Sequence, residues 1–545
     1  MRGGAGGDRL PRGFQIRNTG DGKCALWQRC SPALRPWRSG GAGADAKTFR
    51  YATSGDLLGL DPHLNNEALT NGFKGNVYEG LITRSPDLKL EPGLATSWTQ
   101  TSPTTWRFTL RKGVTFHDGS PFTAADVAFS IRRFTHPNST MAPAAPGIEA
   151  ATVVDDFTID IRTKAPDPVV LQGLPFLFVM SKGWSEKNAS ADPASGANPT
   201  SYANLNANGT GPFKVKERVP DQQTVLAPHA GWWAKPQHNL TEVVFRPIKA
   251  DATRLAALVS GEIDMMFPVA PQDTQRLTGT PGIRILTGQG VMTVFFGLDQ
   301  GRAELLDMPG TGKNPLKDRR VRQAMYQAID MDTIARVIMR GAAQPTGLLI
   351  APGIEGFDAE LNKRYPFDPD GAKKLMVEAG YADGFPITLD CPNDRYVNDE
   401  ALCQAVVPML ARIGVKVRLN AQTKALHFAK AGKPGNYNTS MYMLGWIPGT
   451  FDAHHVLVNL ITEGGIWNAG MYKNPRVEEL TKLVGTEMDP VKRRAMMQEA
   501  LKIHKDDFGH IPLLQQATVW AARDSVATIQ QSPLDFVYLK DVVMK

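Results

Sequence analysis

The sequence predicts an α/β protein of two to four domains, and three observations carry that prediction. Helix and strand signals alternate between residues 300 and 510, as in an α/β layer. Residues 80–205 differ, holding strands and turns with few long helices. The chain has 545 residues, 42% hydrophobic and 21% charged, enough apolar side chain for sizeable cores and too much for a disordered or collagen-like chain.

Helix starts are marked by Asn-Pro and Asp-Pro pairs. An Asn or Asp side chain accepts the free N–H groups of the first turn, and Pro fits the turn that follows. Asn314-Pro315, Asp368-Pro369, Asn474-Pro475 and Asp489-Pro490 predict helices over 315–329, 369–379, 475–484 and 490–508. Gly380 and Gly485 act as stops. Further helices are predicted over 332–340, 251–260 and 399–413, the last capped by Asn398 and bent at Pro408. Thr123 and Asp126 have the spacing of a capping box for 124–134. Alternating and β-branched runs predict strands over 48–53, 106–111, 152–162, 213–227, 241–248, 283–287, 291–298, 386–391, 415–420, 438–445 and 517–522. The body shows no internal repeat.

Charge is concentrated at one end. Of a net +7, residues 1–44 supply +6, with eight Arg and Lys against two Asp. The remaining body is close to neutral, which removes the electrostatic footprint of a nucleic-acid partner. Residues 1–46 read as a disordered, Gly-rich basic head, either a damaged export signal or Ala/Gly-rich sequence in which small-x-small triplets are common. It lacks the apolar stretch of such a signal, but Ala42-Gly43-Ala44 and Ala44-Asp45-Ala46 have the small-x-small form of a cleavage site. No apolar run in the chain is long enough to cross a membrane. Cys391 and Cys403, twelve apart, admit either a disulfide or two buried thiols, and their spacing is not that of zinc ligands.

One stretch points to a binding site. The strand at 386–391, the helix at 399–413 and the strand at 415–420 form a βαβ unit, and ligands of open α/β sheets gather at the carboxyl ends of strands. Asn393, Arg395 and Tyr396 follow the first strand, and Gly445, Trp446 and Ile447 end the strand at 438–445. If the two strands lie parallel in one sheet, these segments share a rim that offers an indole, a phenol, a guanidinium and an amide. Catalytic motifs do not compete with this reading. There is no Gly-x-Ser-x-Gly elbow and no His-Glu-x-x-His. Gly310-Thr-Gly-Lys313 lacks both the first glycine and the hydroxyl of a phosphate loop. His117-Asp118 reads as part of a turn, and the adjacent His454-His455 make a poor metal site.

From about residue 47 to 540 the chain resembles the large solute-binding proteins of oligopeptide, dipeptide and nickel ABC importers. The resemblance rests on ordered blocks: Asn76–Leu81, Leu90–Ala95 with Trp98, Trp106–Gly119 leading into Phe122–Val127, Gly209–Phe213, Arg254–Leu258 with Gly261–Asp264, and Asp318–Ala324 with Ile329-Asp330. It implies a periplasmic-binding-protein-like fold, with two α/β lobes, hinge strands and an extra subdomain inserted in lobe one. The implied division is 47–77, 209–297 and 514–545 for lobe one, 78–208 for the subdomain and 298–513 for lobe two. Hinges would lie near 296–299 and 511–515.

The resemblance further implies capture of a peptide-like or other small polar solute for delivery to a membrane permease, by an exported, periplasmic monomer without a cofactor or catalytic activity. Carriage of a nickel chelate, an opine or a sugar, and ligand sensing, are the alternatives. By the same resemblance Trp446 contacts ligand and Leu58 approaches the cleft. Gly449 stands where relatives carry an Asp for the ligand's α-amine, and Asp452, three residues on, is the nearest acid for a cationic group, with Arg395 facing a carboxylate.

Overall fold

The computed structural model describes residues 47–194, 200–431 and 437–545. The basic head and its cleavage-site triplets lie outside these residues.

One eleven-stranded sheet runs through the molecule. Its order is Val415–Gln422, Phe385–Pro392, Met441–Trp446, Ile283–Leu298, His510–Arg523, Met265–Met266, Thr48–Thr53, Glu242–Pro247, Gln223–Pro228 and Phe213–Val219, with Ala343–Pro345 paired to His510–Arg523. Phe385–Pro392 lies parallel to both Val415–Gln422 and Met441–Trp446. Thr48–Thr53 lies parallel to both Glu242–Pro247 and Met265–Met266. Parallel groups thus sit in each half of the sheet, joined by two long antiparallel strands.

Those two strands are the seam. Ile283–Leu298 has 16 residues and His510–Arg523 has 14, so the longer spans about 50 Å at roughly 3.3 Å per residue. Ile283–Gln289 pairs with Ala517–Arg523 in one half, and Thr293–Gly297 pairs with His510–Gln515 in the other. A bulge separates Gln289 from Thr293. The predicted strands at 283–287 and 291–298 are therefore one strand, interrupted at the point where the two halves meet. Gly290 sits there because the chains nearly touch: a Cβ at Gly290 would lie 2.2 Å from the Gln516 carbonyl oxygen.

Separate apolar cores flank the two halves. Phe49, Tyr51, Phe213, Phe245, Trp520 and Val542 belong to one, and Phe296, Leu298, Val321, Leu389, Leu402 and Ile511 to another. A third packs Phe108, Phe116, Phe122, Ile131 and Ile161 around an antiparallel sheet of Ala95–Ser102, Thr105–Leu110, Thr158–Thr163 and Ile148–Asp155. This unit is tied to the first half by a buried, bidentate ion pair, with Arg133 donating to both oxygens of Asp61 at 2.7 and 2.5 Å.

Local chemistry sets the helices. Asn474, Asp489 and Asp368 each accept first-turn N–H groups, and Pro follows each of them. Thr123 donates its N–H to Asp126, completing the capping box. Several expectations are corrected. Residues 152–162 and 213–227 are hairpins, because Asp156-Phe157 and Pro220-Asp221-Gln222 turn the chain between strands Ile148–Asp155 and Thr158–Thr163, and Phe213–Val219 and Gln223–Pro228. The helix expected at 315–329 begins at Arg319, capped by Asp318, after a short 3-10 turn at Pro315–Lys317. Asn398 does not cap its helix. It has φ of +53° and donates its side-chain N–H to Ile338, while the Asp399 carboxylate accepts the N–H groups of Arg395 and Tyr396. Gly310 and Gly312 donate their N–H groups to Glu304 at 2.7 and 2.6 Å, so this glycine loop already holds an anion of its own chain.

Candidate functional site

A cavity of about 360 Å³ opens where the two halves of the sheet meet. Its floor is the seam, with Gly290, Val291 and Met292 from one strand and Gln516–Val519 from the other. Four parallel strands aim their carboxyl ends at it. Thr53 and Ser54 end Thr48–Thr53, and Phe267–Val269 follow Met265–Met266. From the other half, Arg395 and Val397 follow Phe385–Pro392, and Ile447 follows Met441–Trp446. Convergence of strand ends is what gives open α/β sheets their ligand sites. Glu67–Leu69 at the start of a helix and Pro533–Asp535 complete the wall.

The walls are mostly apolar, with a few polar groups in defined states. Glu67 is occupied, since its carboxylate accepts the N–H groups of Leu69 and Thr70 at 2.9 and 2.8 Å. Thr518 presents a buried hydroxyl with no partner among the described residues. Arg395 is exposed, with its guanidinium 5.1 Å from the centre of the Tyr396 ring and no carboxylate paired to it among the described residues. Asp535 has φ of +59°, and one of its oxygens accepts the Trp520 indole N–H at 2.8 Å. Burial pushes its carboxyl up to about 6, with the Trp520 hydrogen bond acting the other way.

The residues expected from sequence divide into three groups. Arg395 and Ile447 line the cavity. Gly445 and Tyr396 stand behind it. The two strands are parallel neighbours, as the rim argument requires, and Gly445 donates its N–H to the Tyr396 hydroxyl at 2.7 Å. Tyr396 is buried, which raises its phenol pKa and removes it as a stacking surface. The others lie off the cavity lining. Trp446 is half-buried, with its indole N–H directed to His455 Nδ1 at 3.3 Å and its ring edge-on to Trp467. Asn393 is exposed and donates its backbone N–H to Gln422, and Leu58 is 56% exposed.

Asp452 requires a correction. It is 1% exposed and accepts both terminal guanidinium nitrogens of Arg493, at 2.5 and 2.8 Å. It also caps the following helical turn through the His454 N–H at 2.9 Å. A carboxylate spent in this way has no charge left for a ligand. His454 and His455 are likewise enclosed, and burial lowers both imidazole pKa values, that of His455 to about 4. Cys391 and Cys403 form a disulfide that ties the strand Phe385–Pro392 to the helix Asp399–Ala411 behind the rim.

Sequence reasoning missed Gly290, Thr518, Glu67 and Asp535. Only Glu67 carried a usable local signal, an acidic residue directly ahead of Ala68-Leu69 at a helix start.

Comparison with known proteins places this architecture. The sequence profile described as bacterial extracellular solute-binding proteins, family 5, matches residues 89–468. The chain belongs to that family. Among curated relatives, the glutathione-binding protein GsiB of Salmonella choleraesuis is 26% identical over 488 residues, covering 87% of this chain and 90% of GsiB. Among solved structures, the ABC transporter substrate-binding protein CtaP of Listeria monocytogenes superposes with a TM-score of 0.80 at 21% identity, covering 92% and 99% of the two chains. The periplasmic binding protein DppA of Helicobacter pylori, in complex with the peptide STSA, superposes with a TM-score of 0.70 at 24% identity, covering 92% and 98%. The two-lobed α/β fold is thus the fold of this family, and the chain is one of its solute-binding proteins.

Proposed function

We propose that this chain takes a small peptide-like or other polar solute into the cavity at the seam and hands it to a membrane permease as the lobes close. The observation that carries this reading is the convergence of four strand ends, two from each half of the sheet, on one 360 Å³ cavity floored by the two strands that join the halves. A solute held there touches both lobes, so its contacts favour closure. The size suits a ligand of a few residues. Ile447 and Arg395 contribute from one side.

The lobe boundaries fit the same reading, with residues 47–77, 209–297 and 514–545 in lobe one, 78–208 in the inserted subdomain and 298–513 in lobe two. The separate apolar cores support that division away from the crossings, where Val294, Phe296 and Leu514 pack with Leu389 and Leu402 in the core of lobe two. The protein acts in the periplasm as a monomeric carrier rather than a catalyst. A disulfide in the body supports an oxidising compartment.

Native mass spectrometry of protein purified without denaturation tests the reading, because a closing cleft retains its solute. A stoichiometric mass of a few hundred daltons, lost on unfolding and replaced by added dipeptides or glutathione, is the expected result. Protein that retains nothing and shows no thermal shift with dipeptides, glutathione, opines or sugars would overturn it.

A further inference from the structure

The ammonium of an amino-acid-like solute needs an anion, and the aspartate expected to provide one does not. Asp452 is closed off by Arg493. Two other carboxylates line the cavity. Glu67 is committed to the first turn of its helix through both oxygens. Asp535 has one oxygen on the Trp520 indole and, among the described residues, no partner for the other. It is therefore the one cavity-lining acid, among the described residues, with an unspent oxygen. Arg395 is, among the described residues, the only cation in the lining, and none of their carboxylates pairs with it.

Resting on the functional reading above, we propose that Asp535, from the C-terminal segment, receives the cationic group of the solute, while Arg395 of the opposite lobe receives its anionic group. A small zwitterion then links the lobes by its two charges. The surroundings fit an anion waiting for a partner. Burial raises the Asp535 carboxyl to about 6 with no neighbouring cation to oppose it. The charged groups that face it across the cavity are Glu67 and Arg395, and the seam strands present only Gly290–Met292 and Gln516–Val519 there. A bound ammonium would supply the missing charge and favour the ionised carboxylate.

Three probes separate the outcomes: an equimolar dipeptide mixture, the same mixture N-acetylated, and the same mixture C-amidated. Each is titrated calorimetrically into wild type, Asp535→Asn and Arg395→Gln. Wild type is expected to bind the free dipeptides and to lose about 10–100-fold on acetylation, the range for a charge-assisted hydrogen bond. Asp535→Asn should bind free and acetylated mixtures alike, at the weaker level. Arg395→Gln should show the same indifference to amidation. Asn keeps the acceptor for Trp520 and tolerates the left-handed backbone, so the variant folds, which its melting curve verifies. If wild type discriminates against acetylation and Asp535→Asn still does, the ammonium sits elsewhere; this assignment falls while solute capture stands. Equal binding of free and acetylated mixtures by wild type also overturns it. If wild type binds none of the mixtures, the peptide-like class in the functional reading falls too.

Discussion

Two aspartates near the cleft show how partners rather than position decide what a carboxylate does. Asp452 lies close in sequence to a Gly-Trp rim yet belongs to the core, because Arg493 reaches it from 41 residues away and encloses it. Attraction between two charges taken out of water is costly to break one-sidedly, since the remaining charge stays buried. Asp452→Ala is therefore expected to destabilise the protein by about 3–5 kcal/mol in urea unfolding. The double replacement Asp452→Leu with Arg493→Met should recover most of that loss. A single variant of near wild-type stability would show that the pair does not anchor this segment. Asp535 is the opposite case, a carboxylate whose remaining oxygen has no partner among the described residues.

At the scale of elements, the seam is the vulnerable part. Gly290 allows the two long strands to pass at a distance that a Cβ would forbid, with the Gln516 carbonyl 2.2 Å from where that carbon would lie. Backbone cannot swing aside as a flexible side chain does. Gly290→Ala should cost about 1–3 kcal/mol as an overpacking change, read as a lowered melting temperature, and should weaken solute binding because the cavity floor moves. Unchanged melting would mean that the two strands have room to part at Gly290. Behind the rim, reduction of Cys391–Cys403 should cost roughly 2–3 kcal/mol by releasing a short loop, measured as a shift of the urea midpoint with and without reductant. These elements also show what the sequence made legible. Asn-Pro and Asp-Pro caps are local chemistry, so the helices after Asn474 and Asp489 appear where expected. The carboxyl-end rule found Arg395 and Ile447, because a strand's end and its following loop lie together in the chain. The Gly-Trp block shows spacing but not the distant Arg493. Asp535 depends on how the last residues pack against the seam, which no local pattern records. The hairpins at 148–163 and 213–228 look like single strands in the sequence because each turn interrupts the β pattern for only two or three residues.

For the whole molecule, the cavity couples stability, protonation and binding. A group whose folded pKa is raised binds a proton more tightly in the native state than in the unfolded chain. Asp535 is raised from 3.8 to about 6. Its favourable contribution is therefore fully present below pH 4 and lost as pH rises through about 6. At pH 7 the ligand-free protein carries an ionised carboxylate in a partly dry cavity. That state costs on the order of 1–2 kcal/mol after allowance for contact with water. Replacement by neutral Asn removes this cost. Asp535→Asn is expected to melt higher than wild type at pH 7.5, with the gap closing as pH falls through 6 to 4. The same variant is expected to lose the response to solute. Differential scanning calorimetry across pH 4–8, with and without the free dipeptide mixture, reads both effects. A lower melting temperature for the ligand-free variant at pH 7.5 would make Asp535 a structural residue. Higher melting joined to loss of solute response marks a charge kept for the ligand at the expense of the empty fold, which is the relation expected when a binding protein stores strain in its open state for release on closure.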